Sequence, residues 1–276
     1  MSNESDPAQS ASDSTDESTG DATQAMPYVA PCRRLEPTAP FRWLRAGWQD
    51  FKAAPFPSLS FGIILTITSW LLAFAAWKFG GLFVLIGLVS GFIFVGPIVA
   101  LLLYSISSQL EKQRQPKLVY CLFESRRNLG NEALMGLILM IVLLLWARAA
   151  SMVHVFFPIA SGSLADILTF LAIGSIVGSI FALIIFCATA FSLPLIMDRQ
   201  IDMITAVITS VNAVLRNKPV MAIWAGIIVA GLLICFLTGF IAIAVIIPII
   251  GFATWHGYRD TIDASAWPLN DAPTHP

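Results

Sequence analysis

Residues 41–104 read FRWLRAGWQDFKAAPFPSLSFGIILTITSWLLAFAAWKFGGLFVLIGLVSGFIFVGPIVALLLY. The stretch contains an amphipathic segment (41–54), a break at Pro55 and two apolar segments, 56–77 and 81–104. These apolar segments have 22 and 24 residues, and about 20 apolar residues suffice to cross a bilayer as a helix. The stretch therefore predicts an amphipathic helix followed by a transmembrane hairpin.

The composition extends this interpretation to the whole chain. The 276 residues are 57% hydrophobic and only 12% charged, whereas a soluble domain carries about 25% charged residues. Lipid accepts only helices or closed barrels. The apolar windows run continuously and do not alternate as barrel strands do. The sequence therefore predicts an all-α integral membrane protein.

Two further units repeat the plan of the first. The second has an arm that starts at Pro116 and two spans at 133–157 and 167–193. The third has an arm at 201–217 and then 36 residues, 220–255, without a charge. A single helix of that length would measure about 54 Å, so we expect Thr238-Gly239 to divide it. The sequence thus predicts six transmembrane helices as three hairpins, an internal repeat in which a cytoplasmic amphipathic helix precedes each hairpin.

The arms show helical periodicity. In the first arm the apolar stripe comprises Phe41, Leu44, Trp48 and Phe51. Such a helix could lie in the membrane interface or pack on its own bundle, and the sequence leaves both open. In the third arm the apolar stripe comprises Ile204, Val207, Ile208, Val211, Val214 and Leu215. We expect it to be buried against lipid headgroups or the hairpins, while the opposite stripe of Thr205, Thr209, Asn212 and Arg216 meets water or a partner.

The distribution of charged residues predicts the two tails of the chain and its orientation in the membrane. Six of the 17 acidic residues lie in the first 21 positions, so we expect residues 1–32 to be a disordered acidic cytoplasmic tail. Residues 33–262 form the membrane domain, and 263–276 a short cytoplasmic tail. With six spans, 14 of the 16 Lys and Arg residues fall on the side of both termini. The positive-inside rule then predicts cytoplasmic N and C termini in a bacterial inner membrane.

Catalytic, cofactor and metal sites are not predicted. The four cysteines form no CxxC pair, and the nucleotide-binding, hydrolase and zinc-protease fingerprints are missing. His154, His256 and His275 belong to different parts of the predicted topology and cannot share a metal. The basic clusters are too small and too close to the membrane to indicate nucleic-acid binding. We therefore expect a protein that is not an enzyme and has no cofactor.

Three charged residues remain candidates for function. Arg148 stands 16 residues into the third span, where it could snorkel to the headgroups or contact an anion or substrate. Asp166, just before the fourth span, could pair with it. Asp198 and Asp202 frame the start of the third arm, where capping of the helix by one of them competes with a catalytic role.

Several runs carry a family resemblance. They are Arg42-Trp-Leu-Arg-Ala-Gly-Trp-Gln-Asp-Phe51, Phe94-Val-Gly-Pro97, Trp146-Ala-Arg148 and Phe191-Ser-Leu-Pro-Leu-Ile-Met-Asp-Arg199. They resemble blocks of a bacterial family of predicted integral membrane proteins, domain of unknown function 2189. The resemblance spans about residues 33–262 and implies a multi-span inner-membrane protein of unassigned activity.

Two functions fit these observations. The first is a scaffold or modulator that acts through its basic amphipathic arms, with membrane lipids and a protein partner or a second copy of the chain as partners. The alternative is a transporter or channel for a small solute. A water-filled cavity lined by Thr66, Ser69, Ser90, Ser175 and Ser179 would favour the alternative, and a solid bundle would favour the scaffold.

Overall fold

The computed structural model describes residues 28–79, 100–116, 129–157 and 163–270. These residues are mostly helical, and within them no β-strand forms, only two isolated bridges. The helices are α1 (Ala39–Ala53), α2 (Pro55–Phe79), α3 (100–111), α4 (Leu129–Phe156), α5 (Leu164–Thr189), α6 (Ser192–Asp198), α7 (Met203–Arg216), α8 (Lys218–Leu237) and α9 (Ile243–Thr261).

Four of the described segments are long and apolar enough to cross a membrane: Pro55–Phe79, Ala133–Phe156, Leu164–Asp198 and Lys218–Leu237. They confirm the all-helical class and correspond to the first, third, fourth and fifth predicted spans. Most of the second predicted span lies outside the described residues, as do positions 158–162 of the second turn. The six-span count therefore stays a prediction.

The fifth and sixth predicted spans are divided where the sequence indicates. α8 ends at Leu237, and Gly239 follows with a φ of +59°, the left-handed conformation that glycine adopts without steric cost. The Phe240 N–H donates to the Cys235 carbonyl at 2.8 Å, and the Gly239 N–H donates to the Phe236 carbonyl at 3.1 Å. This is a Schellman motif, which satisfies the last carbonyls of α8 and reverses the chain.

α9, the sixth predicted span, does not belong to the four apolar candidates. Its last turns are polar, and it is the central helix of the described structure, in contact with α1, α2, α6 and α8. Two glycines, one in α1 and one in α2, allow the backbones of these helices to approach the backbone of α9 closely. A Cβ on Gly47 would lie 2.7 Å from the Ile249 carbonyl oxygen, and one on Gly62 would collide with the Ala244 backbone. α1 and α2 therefore run antiparallel along α9, nearly backbone to backbone.

The described helices are packed very unequally. The hydrophobic core surrounds α9 and includes Trp43, Phe191, Trp224 and Tyr258, with the Trp43 and Trp224 rings 5.6 Å apart. α4 and α5 pack on each other but bury few side chains, and the span window in α5 buries none. Apolar side chains that point away from the protein suit a lipid environment.

The N-terminal strap, residues 28–38, and the C-terminal residues close the packed end. Within the strap, the Arg33 N–H donates to the Thr261 carbonyl at 2.8 Å, and the Pro31 carbonyl accepts from the Asp263 N–H at 2.9 Å. Residues 28–32 were assigned to the tail from the sequence, but Ala30 and Cys32 are buried. Residues 1–27 of the predicted tail lie outside the described part.

Candidate functional site

The last two turns of α9 carry a polar network that links three other helices. His256 lies with its Nε2 2.8 Å from Asp50 Oδ2 of α1, and Ser107 of α3 donates its hydroxyl to the same oxygen at 2.6 Å. Asp260 Oδ2 accepts from the Trp43 indole N–H at 2.9 Å. These contacts, together with those that Asp198 and Glu111 make with α9, are called the α9 network.

Asp198 is the most buried acid of the network, with 5% of its side chain exposed. Its Oδ2 accepts from the Tyr258 hydroxyl at 2.7 Å, from Arg199 Nε at 3.0 Å and from Arg259 at 3.4 Å. Burial and the neighbouring Asp198 carboxylate raise the pKa of Tyr258, which keeps its hydroxyl a neutral donor. Arg259 also pairs with Glu111 of α3 at 3.0 Å.

The geometry of the network indicates a structural role. A nucleophilic hydroxyl must be bonded to the imidazole that takes its proton, whereas Ser107 and His256 both bond to one oxygen of Asp50. Asp198 accepts three donors at a single oxygen, Oδ2, and thereby links Arg199 to Tyr258 and Arg259 of α9. The network therefore fixes α9 to α1, α3 and α6.

α7 presents two different faces. Its inner face comprises the buried Met203, Ala206, Thr209, Ser210, Ala213 and Val214. Its outer face carries Ile204, Ile208 and Leu215, which are 65%, 47% and 55% exposed. The prediction that Thr209 meets water or a partner is wrong, because this side chain is fully buried and its Oγ1 accepts from the Ala30 N–H at 3.1 Å.

Hydrogen bonds hold α7 in this orientation. The Asp202 carboxylate caps the helix by accepting from the Ile204 and Thr205 N–H groups, each at 3.0 Å. Burial raises the pKa of Asp202, but these hydrogen bonds outweigh it and leave the pKa lowered. The Ser210 hydroxyl accepts from the Phe191 N–H at 3.1 Å and donates to the Cys187 carbonyl at 2.8 Å. Capping by one of the two acids was predicted, and Asp202 provides it.

α1 packs on the bundle through Trp43 and Gly47, which its apolar stripe does not contain, and through the partly buried Leu44 and Phe51 of that stripe. Trp43 is 2% exposed, and Gly47 faces α9. From the predicted stripe, Phe41 and Trp48 stay exposed, and Phe51 stacks on Trp48 with centroids 5.6 Å apart. α1 thus packs on its own bundle, and its place in the membrane interface stays a prediction.

The three candidate residues do not form one site. Arg148 is exposed on α4, and Asp166 lies in the first turn of α5, where its N–H donates to the Ser163 hydroxyl at 3.2 Å. From Asp166 to its end at Thr189, α5 rises by 23 residues (189 − 166), about 35 Å at 1.5 Å per residue, and the buried Asp198 lies beyond that end. The pairing of Arg148 with Asp166 stays a prediction.

The two described histidines, His154 and His256, do not form a shared site either. His154 packs edge-on against Phe170, with ring centroids 5.9 Å apart, and His256 belongs to the α9 network. His275 lies outside the described residues. Within the described ranges, no group of three His, Cys, Asp or Glu side chains could hold a metal ion.

The sequence did not predict the α9 network. Its partners Asp50, Glu111 and Asp198 come from separate helices, and only long-range packing brings them to one helix end. The signal was the run Trp255-His-Gly-Tyr-Arg-Asp260, in which five polar or amphipathic side chains end an apolar helix. Such a concentration of donors and acceptors indicates a helix end that is buried in protein.

Comparison with known families also indicates an integral membrane protein. A family model described as predicted integral membrane protein (DUF2189) matches residues 83–198. The match confirms the resemblance and contains the blocks around Pro97, Trp146 and Pro194, while the run that opens at Arg42 precedes it. Comparison with curated proteins and with solved structures gave no match. The chain is thus an integral membrane protein whose central part matches this family of predicted integral membrane proteins.

Proposed function

We propose that the protein is a non-enzymatic membrane component that modulates the lipids around it, and through them neighbouring proteins, by helices embedded at the bilayer boundary. The observation that carries this proposal is the orientation of α7. Its buried face is mostly small or polar, and the large apolar side chains of Ile204, Ile208 and Leu215 are exposed beside Asn212 and Arg216. We infer that the boundary in question is the cytoplasmic one, in line with the positive-inside rule.

The position of α7 in the chain supports lipid as its environment. One candidate span ends at Asp198 and the next begins at Lys218, so α7 (Met203–Arg216) starts and ends within a few residues of a span. A 14-residue helix is about 21 Å long and is held close to the boundary at both ends. Burial of one Ile or Leu side chain contributes roughly 1.5–3 kcal/mol, which favours insertion of the outer face.

The transporter alternative receives less support. Thr66 is buried, but its hydroxyl donates to the Gly62 carbonyl of its own helix at 2.9 Å. Ser175 and Ser179 are exposed on α5, and Ser90 lies outside the described residues. The described members of the predicted polar lining therefore face different surroundings.

The proposal is tested by the depth of α7 in the membrane. With the native cysteines replaced, Ile208→Cys and the control Ser265→Cys, in an exposed turn, receive a small fluorophore and are reconstituted in nanodiscs. We expect brominated lipids to quench the label at position 208 and soluble iodide to quench the label at position 265.

Equal quenching of both labels by iodide would show that α7 meets water and would overturn the proposal. Protection of position 208 from both quenchers would show that protein covers the helix, and this result also contradicts a lipid role. As a functional readout, we expect the reconstituted protein to change the order of surrounding lipids, measured with a headgroup-level polarity dye. Ile204→Asn with Ile208→Asn should weaken that effect.

A further inference from the structure

We propose that the outer face of α1 is a binding surface for anionic phospholipid headgroups, formed by Arg45, Trp48 and Lys52. The inference rests on the proposed function in placing the packed end at a bilayer boundary. It concerns a different helix and names the lipid class. Because these residues follow at i, i+3 and i+7, they form one stripe along two turns of the helix.

The stripe is free of the contacts that build the core. α1 packs on α9 through Trp43 and Gly47, whereas Arg45, Trp48 and Lys52 are exposed. Lys52 Nζ lies 6.0 Å from the centroid of the Trp48 ring, which orders the ammonium group beside an aromatic side chain. Trp and Lys side by side are typical of the headgroup level of membrane proteins.

The charge of this face is uniformly positive. Arg42 is neutralised by Glu36 at 3.2 Å and Asp260 at 3.3 Å. The single acid of α1, Asp50, is turned inward to His256 and Ser107. Within the described residues Arg45 and Lys52 make no ion pair, so both charges are available to an anion, and a phosphate group is the anion that a bilayer surface offers.

The stripe begins at the depth of the headgroup layer, at Lys52, and continues outward from it. α1 ends at Ala53, and a candidate span begins at Pro55. At 1.5 Å per residue, Lys52 and Trp48 lie about 5 Å and 10 Å from that point along the helix. The headgroup region is about 5–7 Å thick on each side of the hydrocarbon core. Arg45, one turn beyond Trp48, stays within about one Debye length of that region.

The test compares lipid binding by the purified full chain and two matched charge variants. Arg45→Gln with Lys52→Gln removes the proposed surface. Arg33→Gln with Arg34→Gln removes the same charge from the strap, where both side chains are exposed. Native mass spectrometry in mild detergent measures binding of phosphatidylglycerol and of phosphatidylcholine, and inorganic phosphate serves as a soluble anion.

We expect the unmodified protein and the strap variant to prefer phosphatidylglycerol over phosphatidylcholine. One basic residue near the surface corresponds to about a fivefold gain in affinity, so the α1 variant should bind phosphatidylglycerol roughly 30-fold more weakly. An equal loss in both variants would show that net charge alone acts, and an unchanged preference in the α1 variant would show that the surface is not used. Either result overturns the inference, as does equally effective binding of inorganic phosphate.

The lipid-binding test of α1 and the quenching test of α7 are independent, so either proposal can be contradicted without the other. The measurement in detergent does not depend on where α7 lies in a bilayer, and the quenching measurement on α7 leaves α1 unchanged. Folding of each variant is checked by its thermal transition, which should be unaltered because the substituted side chains are exposed.

Discussion

At the scale of single residues, polar groups decide which face of an amphipathic helix is buried. α7 turns Thr209 and Ser210 inward because their hydroxyls satisfy backbone groups of the strap and of the α5–α6 junction. The sequence predicted a helix here, and the structure has one. The two predicted stripes do not match the buried and exposed faces, because Thr209 of the polar stripe and Val214 of the apolar stripe are both buried. Periodicity alone could not assign the faces, because in lipid the large apolar side chains can point outward.

Thr209→Val is therefore expected to destabilise the protein. It retains the shape of the side chain but leaves the buried Ala30 N–H without its acceptor, a loss of about 1–3 kcal/mol. Thr205→Val is the control, since Thr205 is partly exposed and water can replace the hydrogen bond of its hydroxyl to Asp202. The measurement is the unfolding free energy in mixed micelles. Equal losses in the two variants would mean that the strap is not fixed through Thr209.

At the scale of elements, local composition predicted α2, α4, α5 and α8 well. Each is a long apolar run, and proline or glycine marks several ends, as at Pro55 and Gly239. The central role of α9 was not predictable in this way. It depends on close approach between Gly47 and Ala253 and between Gly62 and Ala244, pairs that are far apart in the sequence and carry no periodic signal.

This difference predicts opposite effects for two similar substitutions. Gly47→Ala places a methyl group 2.7–2.8 Å from backbone atoms of α9, so we expect a loss of about 1–3 kcal/mol. Gly226→Ala in α8 meets no atom within 4 Å and should stabilise the helix by about 0.5–1 kcal/mol. Thermal unfolding in detergent measures both. A gain in stability at Gly47 would contradict the close packing of α1 on α9.

At the scale of the whole molecule, basic residues predict the orientation in the membrane. With six spans, both termini would share one side with 14 of the 16 Lys and Arg residues, and we expect that side to be cytoplasmic. The described structure offers two exposed test positions that the six-span topology assigns to opposite sides, Ser163 before α5 and Ser265 after α9.

We expect a membrane-impermeant thiol reagent to label Ser163→Cys in intact cells, after replacement of the native cysteines, and to label Ser265→Cys only when the membrane is opened. The opposite pattern would invert the topology. Labelling of both positions in intact cells would place them on the same side and would contradict the hairpin arrangement of α4 and α5 with the rest of the chain.

The central position of α9 also bears on biosynthesis. Of the described helices, α1 and α2 leave the ribosome first, yet α9, on which they pack, follows all the others. At about 5–20 residues per second, the roughly 160 residues between Phe79 and Ile243 delay its arrival by about 10–30 s. During this interval the inward face of α1, with Asp50 and Gly47, has no α9 to contact. A nascent chain that stops before Ile243 keeps that face exposed to the quality-control proteases of the cell.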